Sequence, residues 1–254
     1  MFGIETLFSS SSGNCTLVTN GERFILIDAG VSAAAIKKAI DSKGLSLSGL
    51  CAVFLTHEHS DHTKGIEVLS KKADFKIYAS VGTLSGLLLS EKASERCIVI
   101  ECGEAVTEAG MCVVPFRTSH DAAESFGYSV YGDGRKLFGY ATDTGCITEE
   151  LVGCLSGCVA AVVESNHDEA MLMCGPYPYE LKRRILSDRG HLSNESCAEL
   201  ISRLSQTGTK KFILAHLSEE NNMPSLALAT AKAVGAELEI AVAPKGEPSE
   251  TFYA

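Results

Sequence analysis

Short apolar runs, many of them rich in β-branched residues, recur along the whole chain and end at glycine, serine or aspartate. Runs of this length bounded by turn residues are typical of strands. They predict strands at residues 16–19, 24–27, 52–56, 76–79, 97–100, 111–116, 126–131, 136–140, 159–164, 211–215 and 237–242. Between two of these runs, the Gly132-Asp133-Gly134 turn predicts a β-hairpin.

Helical patterns alternate with the predicted strands. They predict helices at residues 32–42, 62–71, 82–89, 178–187, 193–203 and 225–234. Ser193 is a plausible N-cap, and Pro224 stands at the start of the last helix. Strands and helices in this order predict a layered α/β (α+β) architecture with two central sheets. No repeat, low-complexity tract or linker divides the sequence, so we expect residues 1–254 to form a single domain.

The composition predicts a sizeable core and argues against a membrane protein. Apolar residues make up 45% of the chain, yet the longest apolar runs are far too short to cross a bilayer, and the first residues do not resemble a signal peptide. The ten cysteines lie among apolar residues without CxxC pairs, which favours reduced, buried thiols over disulfides or metal ligands. We therefore expect a cytoplasmic protein with no membrane partner.

The formal net charge of −10 restricts the ways in which the protein can bind nucleic acid. Binding to phosphates depends on lysine and arginine displacing counterions, so any such contact must be local and not a broad basic face. Part of the acidity, however, belongs to carboxylates that bound divalent cations would neutralise.

The sharpest chemical feature is the segment at residues 56–62, which reads Thr-His-Glu-His-Ser-Asp-His at the end of a predicted strand. Packing does not explain three imidazoles together with the carboxylate of Asp61 in so short a segment. In an extended chain His57 and His59 point the same way, whereas Asp61 and His62 can face a second point at the helix start. That arrangement suits two metal ions about 3.5 to 4 Å apart. Imidazole and carboxylate ligands favour Zn, Mn, Fe or Ni over Ca or Mg.

These residues resemble the signature of the metallo-β-lactamase superfamily, which is HxHxDH at a strand end, preceded by an aspartate that ends another strand. Here that aspartate is Asp28. The later motifs follow in the family's order, with His120 after a strand, Asp143 in Ala-Thr-Asp-Thr-Gly and His216 in Leu-Ala-His-Leu. The resemblance implies a four-layer αββα sandwich and a hydrolase with two divalent ions, which we expect to be Zn, Mn or Fe.

Carried over position by position, the resemblance also implies a role for each ligand. The ligands divide into His57, His59 and His120 for one ion and Asp61, His62 and His216 for the other. Asp143 is expected to bridge both ions, with a hydroxide between them as the nucleophile. Asp61 is also expected to be catalytic, because it holds the ion and hydroxide that every reaction requires. Asp28 is expected to orient the ligands.

The same fold hydrolyses β-lactams, lactones, thioesters and phosphodiesters, so other segments must indicate the substrate. Asp143 departs from the true β-lactamases, in which a cysteine commonly replaces it. Glu164 at a strand end and His191 before a helix are similar to the nuclease branch that includes ribonuclease Z, where such a pair donates a proton to the leaving oxygen. With the Ser-rich Gly-Asn loop and residues 217–222, the whole chain is most similar to the YycJ/WalJ group. This resemblance implies a DNA exonuclease with a 5′-to-3′ preference.

Several further residues are candidate substrate contacts, each with a plainer alternative. They are Ser12, Gly13, Asn14, His167, Arg184, Arg189 and Asn222. The loop suits a phosphate because Gly13 lets the backbone approach a ligand, but an ordinary turn has the same sequence. His167 either faces the site or lies in a turn. Arg184 or Arg189 either binds a phosphate oxygen or lies on a solvated helix surface.

Two other functions are compatible with the sequence. A small-ester hydrolase acting on a thioester or lactone would have a narrow apolar pocket without a basic rim. A metal-containing partner-binding protein has no support beyond the acidic charge, and the seven histidines lie in or beside the catalytic motifs. The chain lacks the tRNA-binding arm of ribonuclease Z and the extra domain of ribonuclease J-type enzymes, which argues against an RNA-processing role. The sequence leaves open the metal, DNA versus RNA, exonuclease versus endonuclease action, and the oligomeric state.

Overall fold

The computed structural model describes residues 1–254 and contains two seven-stranded sheets. The first sheet contains β1 (Gly3–Phe8), β2 (Cys15–Thr19), β3 (Phe24–Ile27), β4 (Leu50–Phe54), β5 (Lys76–Ala79), β6 (Cys97–Val99) and β14 (Phe252–Tyr253). Its spatial order is β14-β1-β2-β3-β4-β5-β6. The first three pairings along this order are antiparallel, and β3 to β6 run parallel.

The second sheet contains β7 (Val106–Glu108), β8 (Met111–Arg117), β9 (Phe126–Gly132), β10 (Arg135–Ala141), β11 (Ala160–Glu164), β12 (Lys211–Ala215) and β13 (Glu239–Val242). Its spatial order is β13-β12-β11-β10-β9-β8-β7. Strands β7 to β10 form an antiparallel meander, and β10 to β13 run parallel. Each sheet therefore has one antiparallel half and one parallel half.

Helices cover the outer faces of the two sheets. They are α1 (Ala33–Ser42), α2 (Ser60–Thr63), α3 (Ile66–Ser70), α4 (Val81–Ser85), α5 (Glu91–Ser94), α6 (Glu149–Leu155), α7 (Glu169–Cys174), α8 (Tyr179–Ile185), α9 (Asn194–Gln206) and α10 (Pro224–Lys232), with a 3₁₀ turn at Leu47–Gly49. Buried apolar side chains form three clusters. Phe54 and Tyr128 lie in the cluster between the sheets, Ile36 in one outer cluster and Leu200 in the other. The predicted four-layer αββα sandwich is confirmed, and it forms a single domain.

Every predicted strand is present, with its ends within two residues of the prediction. The sequence patterns missed three strands, β1, β7 and β14, and three helices, α5, α6 and α7. In β1 the polar residues Glu5 and Thr6 interrupt the apolar run, yet both are buried in the structure. The missed helices have only four to seven residues, which is too short to show a clear helical period.

The prediction of one continuous helix at residues 62–71 is wrong. The structure has two short helices there, α2 and α3, because the Gly65 N–H donates to the Ala29 carbonyl oxygen and the Asp61 carbonyl oxygen accepts from Asn14, so the helical bond between residues 61 and 65 is not made. A Cβ atom at Gly65 would lie 2.3 Å from the Val31 carbonyl oxygen. The predicted hairpin is confirmed, and Asp133 and Gly134 at its tip have φ of 49° and 75°, as a type I′ turn requires. None of the helices is long and apolar enough to span a membrane.

The carboxyl ends of the parallel strands lie at one edge of the sandwich. The side chains that follow β3, β4, β10 and β12 come together there, as does Glu164, the last residue of β11. In α/β sheets, ligands commonly bind outside the carboxyl ends of parallel strands. The candidate site is therefore built on rigid strand ends of both sheets.

Candidate metal centre

The predicted ligands lie together where strands of both sheets end. His57 follows β4, His59 caps α2, Asp61 and His62 lie within α2, and His120, Asp143 and His216 follow β8, β10 and β12. Asp28, Asp143 and His216 have φ of 65°, 56° and 59°. Left-handed backbone is uncommon for residues other than glycine and is often found at functional sites. At these three positions the left-handed backbone ends the preceding strand directly at a residue of the candidate metal centre.

The first group of candidate ligands contains three imidazoles. The ligand atoms of His57, His59 and His120 lie within 4.8 Å of one another. His57 Nε2 is 3.0 Å from His59 Nδ1. These nitrogens converge on one small volume, in the grouping that the resemblance implies for the first ion.

The second group contains two imidazoles and a carboxylate. Asp61 Oδ2 lies 3.3 Å from His62 Nε2 and 3.6 Å from His216 Nε2. Asp143 lies between the groups, because its Oδ2 is 3.3 Å from His62 Nε2 and its Oδ1 is 3.8 Å from His120 Nε2. The spatial division of the residues therefore matches the predicted division of ligands, with the carboxylate of Asp143 facing both sets.

The imidazoles of His62 and His57 are oriented from behind by two buried residues. His62 Nδ1 donates to Asp28 Oδ2 over 2.7 Å. The backbone N–H of Thr56 donates to the other Asp28 oxygen, and the Thr56 hydroxyl lies 3.0 Å from His57 Nδ1. Hydrogen bonding at the outer nitrogen fixes the ring orientation and leaves the inner nitrogen for a metal. The contact supports the predicted orienting role of Asp28.

The other two buried imidazoles follow the same rule. His216 Nδ1 donates to Glu164 Oε1 over 2.8 Å. His120 Nδ1 lies 3.2 Å from the carbonyl oxygen of Gly190. In both rings Nε2 is left facing the centre, without a hydrogen-bond partner in the protein. The orientation of all four buried rings among the candidate ligands is thus determined by contacts on the side away from the centre.

The unpaired atoms at the centre show that these residues suit metal ions. His120 Nε2, His216 Nε2 and Asp143 Oδ2 are buried and have no hydrogen-bond partner. Leaving a polar atom buried and unpaired costs about 1 to 3 kcal/mol, so native proteins rarely do it without a ligand. Imidazole nitrogens with carboxylate oxygens are a donor set for borderline divalent metals. The His and Asp clusters are consistent with a dinuclear site.

In the metal-free chain, the opposite charges of the buried carboxylates and imidazoles stabilise one another. Burial raises the pKa of the Asp143 carboxyl, but the charges of His216 and His62 outweigh it and hold the pKa well below its ordinary value. Burial lowers the pKa of His216, but the charge of Asp143, the nearby carboxylate of Asp61 and the hydrogen bond to Glu164 raise it to about 10. Metal ions compete with these protons, because a ligand imidazole must give up its Nε2 proton to bind.

Residues 23–217 match the protein family described as Beta-lactamase superfamily domain. The chain belongs to the metallo-β-lactamase superfamily. It is 39% identical over 225 residues to exodeoxyribonuclease YycJ of Bacillus anthracis, and this alignment covers 88% of this chain and 85% of the relative. It is 36% identical over 230 residues to exodeoxyribonuclease WalJ of Streptococcus pneumoniae, which covers 89% and 85%.

A solved structure supports the fold. The metallo-β-lactamase fold protein YhfI of Bacillus subtilis superposes with a TM-score of 0.76 and 16% identity, covering 98% of this chain and 100% of that chain. An identity this low shows the fold alone. The membership of the superfamily and the His/Asp cluster together identify this chain as a metal-dependent hydrolase.

The predicted pair Glu164 and His191 also lies at the candidate metal centre. His191 Nδ1 donates to Glu164 Oε1 over 2.9 Å and lies 3.6 Å from Asp143 Oδ1. Glu164 is fully buried, and its Oε2 accepts from the backbone N–H groups of Leu192 and Thr144. Burial raises the pKa of Glu164, but the charge of His191 and hydrogen bonds from both histidine neighbours lower it to about 2. The carboxylate is therefore ionised at neutral pH.

The loop before β2 lies inside the hydrolase site. Asn14 is buried, and its Nδ2 lies 3.4 Å from Asp61 Oδ2 and 3.2 Å from His62 Nε2. A Cβ atom at Gly13 would lie 2.3 Å from Val31 Cγ1, so glycine is needed there for packing. Asn14 therefore contacts the candidate ligands, and the prediction that this loop faces a phosphate gains no support at these two positions.

The remaining polar candidates differ in their surroundings. Ser12 is exposed and donates to Glu219. Asn222 is buried, and its amide bonds to Asn194 and to backbone groups, which leaves no free polar atom for a substrate. His167 is also buried, with neither ring nitrogen hydrogen-bonded, and burial lowers its pKa to about 4. Substrate contact by these three residues stays a prediction.

The two candidate arginines have different environments. Arg189 donates through Nε and Nη2 to the carbonyl oxygen of His120, over 3.1 and 3.0 Å, so it holds the loop that carries this ligand. Arg184 donates through Nε to Asp121, and its two terminal nitrogens have no partner in the protein. Arg184 therefore has both terminal nitrogens free for a phosphate oxygen on the rim of the site, whereas Arg189 has only Nη1 free.

Three contributors to the centre were not predicted from the sequence. Thr56 contacts Asp28 and His57, although it was known only as the first residue of the motif. The Ser9 hydroxyl accepts from the backbone N–H of His216 over 2.7 Å. Asp121 Oδ1 lies 3.4 Å from His120 Nε2. The only sequence signal for these residues is that each lies beside or within a recognised motif.

Proposed function

We propose that this hydrolase is a DNA exonuclease that cleaves phosphodiester bonds from a strand end in the 5′-to-3′ direction. We also propose that it uses two divalent ions, Zn, Mn or Fe, held by the seven predicted ligands. Both homologous proteins named above are called exodeoxyribonucleases, and each is similar over most of its own length and of this chain. Similarity of this extent favours a shared reaction, and DNA is accordingly the proposed partner. The ten free cysteines support a cytoplasmic location.

The proposal rests chiefly on the hydrogen bond between Glu164 and His191. A phosphodiester expels a sugar alkoxide, which is a poor leaving group and needs a proton donor. Burial lowers the pKa of His191, but the charge of Glu164 and its hydrogen bond outweigh that effect and raise the pKa above its ordinary value. With Nδ1 bound to Glu164, the Nε2–H remains available for a leaving oxygen. Hydrolysis of a thioester has little use for such a donor, because a thiolate leaves readily.

In this mechanism the residues of the site have separate roles. When bound, the ions supply Lewis acidity and an ionisable water near neutral pH. Asp28 holds His62, and Gly190 holds His120, so that the ligand nitrogens stay directed at the centre. His191 gives its Nε2 proton to the leaving oxygen as the phosphorus–oxygen bond breaks, and Glu164 stabilises the imidazolium before the transfer.

The alternative small-ester hydrolase would have a narrow apolar pocket without a basic rim. The pocket beside His191 has a volume of about 180 Å³, and only three of its ten lining residues are hydrophobic. Arg184 and Tyr177 contribute polar groups to its wall. This lining favours a phosphate-containing substrate over a thioester or lactone.

The test is a comparison of substrate classes with one metal-loaded preparation. The purified protein is assayed with Mn or Zn on end-labelled DNA and RNA duplexes and on a panel of lactones and thioesters. We expect release of nucleotides from the 5′ end of DNA, and none from an Asp61→Asn variant purified in the same way. Turnover of a lactone or thioester without any cleavage of DNA would contradict the proposal, and equal activity of the Asp61→Asn sample would identify a contaminating nuclease.

A further inference from the structure

The loop that joins β1 to β2 lies against one half of the candidate metal centre. It reads Ser-Ser-Ser-Ser-Gly-Asn from Ser9 to Asn14. Its two ends are buried, with Ser9, Ser10 and Asn14 no more than 4% exposed, whereas the two serines at its tip are exposed. Burying a polar side chain is costly unless it is hydrogen-bonded, so the partners of these three residues indicate what the loop does.

The carboxamide of Asn14 has a fixed orientation. Its Oδ1 accepts from the backbone N–H of Ser10 over 3.2 Å, so Nδ2 is the amide atom that faces the centre. There Nδ2 donates to the backbone oxygen and to Oδ2 of Asp61, over 3.4 Å each, and lies 3.2 Å from His62 Nε2. One amide thus ties the Asp61 carboxylate to its own backbone and contacts the neighbouring ligand.

The backbone of Asn14 is held at the same place. Its N–H donates to the Asp61 carbonyl oxygen over 2.8 Å, and its own carbonyl oxygen accepts from the Gly30 N–H over 2.8 Å. A Cβ atom at Gly30 would lie 1.6 Å from the Asp61 carbonyl oxygen, so only glycine allows the three segments to approach so closely. The position of the Asn14 side chain is therefore fixed relative to the backbone that carries Asp61.

The other end of the loop holds His216. Ser9 Oγ accepts from the His216 N–H over 2.7 Å, and the His216 carbonyl oxygen accepts from Asn166 Nδ2 over 2.9 Å. His216 has φ of 59°, a left-handed conformation that residues other than glycine adopt only at a cost that the surroundings must offset. Side chains thus bind both backbone polar groups of this ligand, and Ser9 is the one that the loop supplies.

These contacts are selective for one group of ligands. Each of the three residues assigned to the second ion alone contacts Asn14 or Ser9. The imidazoles assigned to the first ion hydrogen-bond to neither, and those of His57 and His120 are oriented by other residues. The loop therefore acts on one half of the centre.

We propose that the Ser9–Asn14 loop positions the ligands of the second ion and thereby sets the affinity for that ion, while the first group binds its ion independently of the loop. This inference rests on the two-ion site proposed above. Asn14 and Ser9 are positioning residues, because they act through the metal ligands. The Ser-rich segment then serves the metal site and not a phosphate of the substrate.

The first test measures metal binding without DNA. The metal-free protein is titrated with Mn²⁺ alone, and the free ion is measured by electron paramagnetic resonance, which gives one dissociation constant for each site. We expect Asn14→Ala and Ser9→Ala each to weaken binding of the second ion about 10- to 100-fold, as is typical when the partner of a metal ligand is removed, and to leave the first ion unaffected. The matched control is Asn20→Ala at the opposite end of β2, where the amide donates to the Ala109 carbonyl oxygen. It should bind both ions as wild type does.

Unchanged affinity for the first ion also shows that each variant is folded. Wild-type affinity for both ions in Asn14→Ala and Ser9→Ala would overturn the proposal, as would an equal loss at both sites. Wild type that binds only one ion would contradict the two-ion site and this inference with it. A protein that shows the expected metal pattern but does not cleave DNA would support the role of the loop and contradict the exonuclease function alone.

The second test uses kinetics to compare the two roles that the loop could have. With Mn²⁺ far above the second dissociation constant, Asn14→Ala should recover most of the rate that it loses at low Mn²⁺, and its KM for DNA should equal that of wild type. A loop that binds a substrate phosphate gives the opposite pattern, in which KM is raised at saturating metal and the affinities for both ions are unchanged. That pattern would overturn the proposal.

Discussion

The imidazole of His191 is hydrogen-bonded through Nδ1 to Oε1 of the buried Glu164 carboxylate, at 2.9 Å. The same oxygen accepts from His216 Nδ1 over 2.8 Å. One carboxylate thus orients a candidate metal ligand and the proposed proton donor, and two backbone N–H groups fix its other oxygen. Because these contacts share a single buried group, substitutions of the three residues should have separable effects on metal binding and on proton donation.

Removing the imidazole of His191 should affect substrates according to their leaving groups. A natural phosphodiester expels a sugar alkoxide, so His191→Ala should slow DNA cleavage on the order of 10²- to 10⁴-fold. Bis(p-nitrophenyl) phosphate expels a much better leaving group and should be affected far less. Rates on both substrates, with metal content measured in parallel, check this. Equal losses on both without loss of metal, or no loss on either, would contradict the assignment of His191 as the donor.

Substitution of Glu164 should weaken metal binding as well as slow DNA cleavage, whereas His191→Ala should not weaken metal binding. Glu164→Gln keeps the size of the side chain but removes the charge that both imidazoles contact. We expect slower DNA cleavage, though less severely than in His191→Ala, together with a 10- to 100-fold weaker metal affinity, as is typical when the partner of a ligand histidine is altered. Metal titration of both variants separates the effects. Unchanged metal affinity in Glu164→Gln would show that the contact with His216 has no part in binding.

The chemistry of the centre could be predicted from sequence because it depends on residue types at short spacings. The spacing within residues 56–62 predicted two metal positions, and the resemblance to the superfamily implied how the full ligand set divides between them. The same grouping of side chains is present in the structure. The direction of other side chains depends on distant contacts that no local pattern records. Asn14 and Asn222, for example, were predicted as possible substrate contacts, and in the structure they bond to Asp61 and Asn194, which are distant in the sequence.

The metal stoichiometry should be two ions per chain when the site is fully loaded. The ligands divide into two groups, and each contains buried atoms that have no hydrogen-bond partner in the protein. His216→Ala should reduce the count toward one, because His216 belongs to the second group alone. Asp61→Asn should impair DNA and bis(p-nitrophenyl) phosphate alike. Elemental analysis decides the count, and saturation at one ion with no change in His216→Ala would rule out the two-ion site.

The cysteines should be free and should differ in reactivity. None forms a disulfide in the structure. Cys102 and Cys174 are exposed, whereas burial raises the pKa of Cys197 to about 12 and raises that of Cys15 further still. Because the thiolate is the reactive form, the two exposed thiols should react first in the native protein and the three buried thiols, Cys15, Cys158 and Cys197, last. Titration with a thiol reagent should reach ten groups after denaturation, and finding mostly disulfides in fresh, unoxidised protein would also remove the support for a cytoplasmic location.

The metal-free protein should become less stable as pH rises, and metal should reverse this trend. The pKa of His216 is raised to about 10 by Asp143, Asp61 and Glu164, and that of His62 is also raised well above its ordinary value. A histidine whose pKa is higher in the folded state contributes stability fully below the unfolded pKa of about 6.5, and loses it as pH rises through the folded pKa.

For each such proton the free energy of unfolding should fall by up to about 1.4 kcal/mol per pH unit between about pH 6.5 and 10. Urea unfolding of the metal-free protein across this window measures the slope. Metal binding must displace the same Nε2 protons, so loading at pH 7 should release protons into an unbuffered solution, and metal affinity should rise with pH. If the metal-free protein had a flat stability profile and loading released no protons, His216 and His62 would be neutral before metal binds, and their pairing with the carboxylates would contribute nothing to the metal-free fold.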